Sequence, residues 1–443
     1  MKKNVNQKKY LIVISYDAFS EDNWEFASKL PHLSSLIGRG VHSTDLCSIY
    51  PTLTYAVHTT MVTGEYPDVH GVIHNNPFQP FVEENDQRWY WYRNEVKAPT
   101  VYDVCREHGL TTAGLLWPVT GKSSIQYNIP EVKAIGKENQ IIKMLRSGSP
   151  VFSILMELKH GKTRKGISQP YLDDFTAQCC ADTVVKKQPN VMMLHFTDLD
   201  TQKHDFGTKS RQVEEAMIRM DARIGLILDA IKRSGNEAST TVMILGDHGQ
   251  MDVRYQIRLN AAFYREGLIY KEQGTLNWRA YVQGADGCAY LYVRAHDEEA
   301  KEKAFAIIHE MMKEKNSGIE LLFTGEDIRE KHLVPSMEAV LEARNGFYFD
   351  DSIEGPVIFD LEKAGLRHAT HGYLPQKPGY KCCFLMAGNG IRQGQELKGI
   401  HMTDIAPTMA AVMGVEFPYG KGRILKVFTA EDSNTNPEHR KST

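Results

Sequence analysis

Three aspartates, three histidines and one threonine are the residues of this chain best suited to a shared chemistry: Asp17, Thr54, Asp200, His204, Asp247, His248 and His371. They lie far apart in sequence, and each either follows an apolar, strand-like run or adjoins a glycine. Three carboxylates, three imidazoles and a hydroxyl suit two divalent ions, with Zn²⁺ the expected metal, beside an activated nucleophile. The chemistry this predicts is metal-assisted phosphoryl transfer.

The local signals are unequal. Asp247-His248 sits in LGDHGQM, two ligand types side by side between Gly246 and Gly249, which permit tight backbone turns. Asp200 and His204 are spaced i, i+4 after VMMLHFT, so a helical turn puts both on one face. Asp198 and His195 are read as decoys pointing into the core or away from the site. Asp17 closes the run YLIVISY, where burying an unpaired carboxylate costs several kcal/mol, although a loop or cap aspartate is the plainer reading. Thr54 lies in PTLTYAVH, where a strand end turns into a helix whose exposed N–H donors favour developing negative charge; simple helix capping by Thr52 or Thr54 is the alternative. His371 precedes Gly372, with His368 as the competing imidazole. The aromatic run at Trp89, Tyr90, Trp91 and Tyr92 reads two ways. Trp89, Trp91 and Tyr92 line a pocket for a base or ring on phosphorus, or the run simply anchors a loop.

Apolar strand-length runs must position these residues: 10–16, 113–117, 191–197, 241–246 and 382–386. Strands apolar on both faces, alternating with amphipathic segments such as 213–233, predict an α/β protein. A mostly parallel central sheet carries helices on both faces, with ligands at the carboxyl ends of its strands. Residues 1–267 and 356–430 are assigned to that core, 268–355 to a small α+β insertion or cap, and 431–443 to a flexible polar tail.

Composition narrows the partners. The 443 residues are 42% hydrophobic and 24% charged, and the net charge of −3 argues against a surface for nucleic-acid polymers. A small phosphate ester or nucleotide remains the expected substrate, and a homo-oligomer stays open. Seven cysteines without a CxxC pattern suit reduced thiols. The N-terminal apolar run is short and ends in Asp17, unlike a signal peptide, and no run reaches the length of a membrane span. The expectation is a soluble, cytoplasmic enzyme with no membrane contact.

The order of motifs adds a resemblance. Asp17, PTLT, HGVIHNN, Asp200-to-His204, GDHG, THGY and MTDIAPT resemble the alkaline phosphatase superfamily, and within it the type I phosphodiesterase/nucleotide pyrophosphatase family. The segment APTVYDVCREHG…GLLWPV is similar to a further stretch of that family. The resemblance covers most of residues 10–265 and 355–415. It implies an alkaline phosphatase-like fold and Thr54 as nucleophile. One zinc would be held by Asp200, His204 and His371, and the other by Asp17, Asp247 and His248 together with Thr54. It also implies that Asn75 donates to a non-bridging phosphoryl oxygen. The activity implied is hydrolysis of phosphodiester or pyrophosphate bonds in nucleotide-type substrates through a phosphothreonine. A phosphomonoesterase, a phosphonate hydrolase, a phosphomutase and a catalytically dead metal-binding protein are the alternatives. Two departures stand out: Ala56-Val57 replaces the Pro-Asn before His58, and Lys203 replaces a glycine. The amine of Lys203 is expected to repel cations or contact substrate.

Overall fold

The computed structural model describes residues 8–430 other than Pro335 and Arg367, so the tail expected at 431–443 lies outside the described residues. A nine-stranded mixed sheet forms the centre. Its order is Gln395–Glu396, Gly40–Cys47, Cys382–Gly388, Thr240–Leu245, Tyr10–Tyr16, Val191–Phe196, Thr112–Leu115 and Tyr127–Ile129, with Ile400–His401 paired beside Gly40–Cys47. Cys382–Gly388 runs antiparallel to both neighbours, and the remaining pairings are parallel. The α/β class with a mostly parallel sheet is therefore what the chain adopts.

Alternation along each strand explains why the sheet needs helices on both sides. Leu11, Val13, Met193, Met243 and Leu245 face one core, shared with Ala56, Val57, Ile405 and Met409. Ile12, Ile14, Met192, Leu194 and Ile244 face the other, shared with Phe175, Ile224 and Ile227. With both faces apolar, neither could be left in water.

Register then brings the chemistry together. Tyr16 pairs with Phe196, and Ser15 with Leu245, so three adjacent parallel strands end at one level. Asp17, Asp200 and Asp247 all lie just beyond those ends. Sequence separations of 183 and 47 residues thus collapse onto one edge of the sheet.

Outside the sheet, Ala280–Ala285, Cys288–Val293, Ala339–Ala343 and Ile319–Phe323 make a four-stranded antiparallel sheet, accompanied by the helix Glu298–Met312. A smaller sheet ties Phe347–Phe349 and Ile358–Asp360 to Tyr255–Ile257. All seven cysteines are unpaired thiols. Among the described residues no helix is long and apolar enough to cross a membrane.

Candidate active site

Thr54 opens the helix Thr54–Thr63, all ten residues of which are buried. The residue before the helix is Leu53, and no side chain caps the start. Thr52 is engaged elsewhere, donating to Tyr373 O at 2.8 Å. The capping alternative is thereby removed, and the Thr54 hydroxyl points into the site. Its Oγ1 stands 3.2 Å from His248 Nε2. Asp17 Oδ1 and Asp247 Oδ2 approach the same nitrogen at 3.1 and 3.2 Å.

One nitrogen cannot hydrogen-bond three oxygens at once. Asp17 Oδ1 and Asp247 Oδ2 are indeed buried with no hydrogen-bond partner among the described residues. Atoms ligating a tetrahedral ion at ~2 Å stand roughly 3.3 Å from one another, so these separations are those of a ligand shell. Two buried orphan carboxylate oxygens in an otherwise satisfied interior call for a cation.

The partner atoms of each ligand agree. Asp247 Oδ1 accepts from the N–H groups of Ala18 and His248 at 3.0 and 2.9 Å, leaving Oδ2 free. Asp17 Oδ2 faces His195 Nε2 at 3.1 Å, leaving Oδ1 free. Asp200 Oδ1 accepts from the Gln250 side chain, and its Oδ2 lies 3.3 Å from His204 Nε2. The imidazoles follow the same rule. His204, His248 and His371 donate Nδ1–H to the carbonyls of Ala369, Gly249 and Thr52 at 2.6, 3.2 and 3.1 Å. A carbonyl only accepts, so Nδ1 carries the proton and the Nε2 lone pair is free for a metal.

All seven residues singled out in the sequence meet here, but their grouping is closer than two separate sets. Asp17, Asp247 and His248 form one trio of converging atoms, and Asp200, His248 and His371 form another. His248 belongs to both, and its ring stacks on His371 with centroids 3.9 Å apart. His204 reaches the second trio through Asp200, its ring 5.3 Å from that of His371. His368 stays outside both trios.

The site's own charges set its protonation. Burial and the neighbouring Asp17 carboxylate push Asp247 up to about 7. Burial alone would lower His248, but Asp247 and Asp17 carry it up to about 9. Burial, with His248 adding to it, takes His371 down to about 4. Burial works to raise Asp17, yet His248 and His195 hold it well below the usual carboxylate range.

Several residues stand where the sequence did not place them. His195, read as a decoy, is bound to Asp17 and lies 3.5 Å from Glu131 Oε2 through its other nitrogen. Gln250 likewise holds a ligand carboxylate. Both follow from pairing between distant segments, and no local spacing announced them. Lys203 meets neither cations nor substrate: its buried amine donates to Ala18 O at 2.6 Å and Asn23 Oδ1 at 2.9 Å, tying the loop after Asp17 to the neighbouring helix. Asp198 does belong to the other side of its helix, held by Arg219 and Arg223. Asn75 sits beside the nucleophile, accepting from Tyr55 N at 3.0 Å with Oδ1 and leaving its amide N–H₂ to donate.

Two glycines are required by close approach. A Cβ on Gly246 would lie 2.0 Å from Phe19 O, and one on Gly372 would lie 2.2 Å from Ala285 O. The second contact shows how the antiparallel sheet braces the site: Gly287 N donates to His371 O at 2.7 Å, and Thr370 donates to Asp286 Oδ1 at 2.7 Å.

Beside the metal ligands lies a cavity of about 370 Å³, lined by Tyr55, Trp89, Trp91, Ile129, Glu131 and His195 among others. Trp89 meets Tyr55 edge-on at 5.2 Å. Tyr92 does not line this cavity: its ring packs at Gly121 with Lys122 Nζ 5.0 Å from its centroid, because the chain turns into a short helical turn at Arg93.

Comparison with known proteins bears on this geometry. Residues 11–374 match the type I phosphodiesterase / nucleotide pyrophosphatase family. Venom phosphodiesterase of Naja atra is 25% identical over 247 residues, which are 54% of this chain and 26% of that protein. Rattus norvegicus ectonucleotide pyrophosphatase/phosphodiesterase family member 7 is 23% identical over 259 residues, covering 56% of this chain and 51% of the relative. The chain thus spans about a quarter of the venom enzyme's length, at 26%. Among solved structures, murine ectonucleotide pyrophosphatase/phosphodiesterase 5 superposes with a TM-score of 0.65 at 18% identity, covering 94% of this chain and 97% of the other. The same murine protein has been solved as an inactive threonine-to-alanine variant in complex with AMP, again with a TM-score of 0.65. With the match running through 11–374 and the motif residues gathered at one edge of the sheet, the chain belongs to the type I phosphodiesterase / nucleotide pyrophosphatase family.

Proposed function

We propose that this protein is a two-metal hydrolase of phosphodiester or pyrophosphate bonds, acting on nucleotide-type substrates through a covalent phosphothreonine at Thr54. The observation that carries the reading is the uncapped Thr54 hydroxyl at a helix N-terminus, 3.2 Å from His248 Nε2 and among orphaned carboxylate oxygens. Asp17, Asp247, His248 and Thr54 would hold one ion, and Asp200, His204 and His371 the other. The borderline nitrogen and oxygen donor set suits Zn²⁺. Bound there, the pair supplies Lewis acidity at the attacking and leaving oxygens of an in-line displacement.

The chain's own residues do the rest. Thr54 gives up its proton, and its Oγ1 forms a bond to phosphorus as the bond to the leaving oxygen breaks. Water then releases the phosphoryl group from Thr54. Asn75, fixed by Tyr55 N, offers its amide N–H₂ to a non-bridging oxygen. The helix start adds exposed backbone donors and the positive dipole end.

The adjoining aromatic cavity supports a substituent on phosphorus, because a monoester would leave about 370 Å³ unfilled beside the reacting group. The AMP complex of the murine relative's threonine variant supports a nucleotide as that substituent. The test compares zinc-loaded protein on bis(p-nitrophenyl) phosphate, a nucleotide pyrophosphate and p-nitrophenyl phosphate. Preference for the first two is expected. Preference for the monoester overturns the diesterase reading and favours a phosphomonoesterase.

A further inference from the structure

Of the fourteen large apolar side chains exposed among the described residues, seven fall between Ile141 and Ile167. The helix Pro150–His160 shows why this is unusual. Phe152 and Met156 bury one face in the core, while Val151, Ile154, Leu155 and Leu158 form a second stripe directed to water. Their spacing of three and four residues marks a continuous helix face. Val151 and Leu158 are 73% and 79% exposed, far more than isolated surface leucines in a packed helix require. The preceding helix, Gln140–Ser147, adds Ile141 and Ile142.

Charge sets this patch apart from the rest of the molecule. Residues 140–167 contain six Lys/Arg and a single Glu, in a chain whose net charge is −3. Arg146, Lys162 and Lys165 are exposed and form no ion pair among the described residues. The same two helices wall the aromatic cavity through Gln140, Met144, Ser153 and Glu157. The patch and the cavity therefore share one side of the protein.

We propose that this face docks the protein on an anionic lipid bilayer. The stripe of Val151, Ile154, Leu155 and Leu158 enters the boundary between headgroups and acyl chains, and Arg146, Lys162 and Lys165 meet headgroup phosphates. An apolar helix face rimmed by free cations is the composition that interfacial binding needs. A second copy of the chain fits less well, since a two-fold contact through this face would set its cations against each other. The proposal extends the partner expectation from spanning segments to a surface contact, and it rests on exposure and charge rather than on the catalytic reading.

Co-sedimentation of the full chain with vesicles of phosphatidylcholine, with and without phosphatidylglycerol, tests it. Binding is expected with phosphatidylglycerol and weakened by salt. The double variant Ile154→Asn/Leu158→Asn should weaken binding about tenfold or more. Lys162→Gln/Lys165→Gln should weaken it roughly tenfold while reducing the salt sensitivity. None of these residues lines the cavity, so hydrolysis of a soluble ester reports whether the variants remain folded. Failure of the parent protein to bind anionic vesicles overturns the proposal. So does binding unchanged by the apolar double variant. A dimer that the same variant dissociates, without vesicle binding, also overturns it and assigns the face to a second copy.

Discussion

The metal ligands and the cavity beside them are built differently. The ligands are carried by the ends of three adjacent parallel strands and by short turns, and each free donor atom is aimed by a second protein group. The cavity is walled by loops and by helices from 129 to 175, with few polar groups and one carboxylate oxygen, Glu131 Oε2, left without a partner. A site that holds charge must be over-determined, because misplacing one buried oxygen leaves an unpaired charge. A site that holds an apolar ring needs mainly shape. The reaction is thereby set by the strand ends, and the choice of substituent by the cavity walls.

That contrast predicts a graded series of effects. Thr54→Ala should remove turnover by roughly 10⁴-fold or more while leaving metal content nearly intact, read by kinetics and elemental analysis. Near-normal hydrolysis by this variant would break the nucleophile assignment. His195→Asn should lower metal affinity roughly 10–100-fold, because Asp17 loses the group that turns its Oδ1 inward. Competition with a chelator measures this, and an unchanged affinity would reduce His195 to a packing role.

Metal affinity should also depend on pH. Binding needs deprotonated His248 and Asp247, which burial and mutual charge place at about 9 and about 7. Protons therefore compete with the ion, and affinity should fall as pH drops through this window, by about tenfold per pH unit for each group still to be deprotonated. Titration at limiting zinc checks the direction; an affinity that is flat from pH 9 to 6 contradicts it.

The cavity effects should be smaller. Trp89→Ala should raise KM for a nucleotide diester about tenfold, with kcat and metal content little changed. Tyr92→Leu should alter KM by less than about twofold, since its ring lies outside the cavity. An effect of Tyr92→Leu as large as that of Trp89→Ala would erase the distinction between the two aromatic positions.

The legible parts of the chain were those in which a few neighbouring residues carry the signal. Strand runs such as YLIVISY, ending in Asp17, reveal both a buried sheet and a ligand position, because an apolar run has to stop where a carboxylate begins. LGDHGQM and the i, i+4 pair Asp200/His204 were visible for the same reason. His195 was not, because a histidine inside a strand looks the same whether it points to the core or to Asp17 on the adjacent strand. Lys203 misled for the related reason that its neighbour is a ligand, whereas its side chain leaves the helix on the opposite side toward Asn23. The aromatic run identified Trp89 and Trp91 but also Tyr92, since a turn of the chain at Arg93, rather than residue type, decides which ring faces the cavity.

Sequence by itself determined the sheet, the ligand types and their order, because burial of apolar runs and the chemistry of side chains are local properties. Tertiary structure alone decided that His248 serves both trios, that His195 and Gln250 orient the carboxylates, and that an antiparallel hairpin braces His371. These depend on the register of strands far apart in the chain, where a shift of one residue would turn every side chain to the other face.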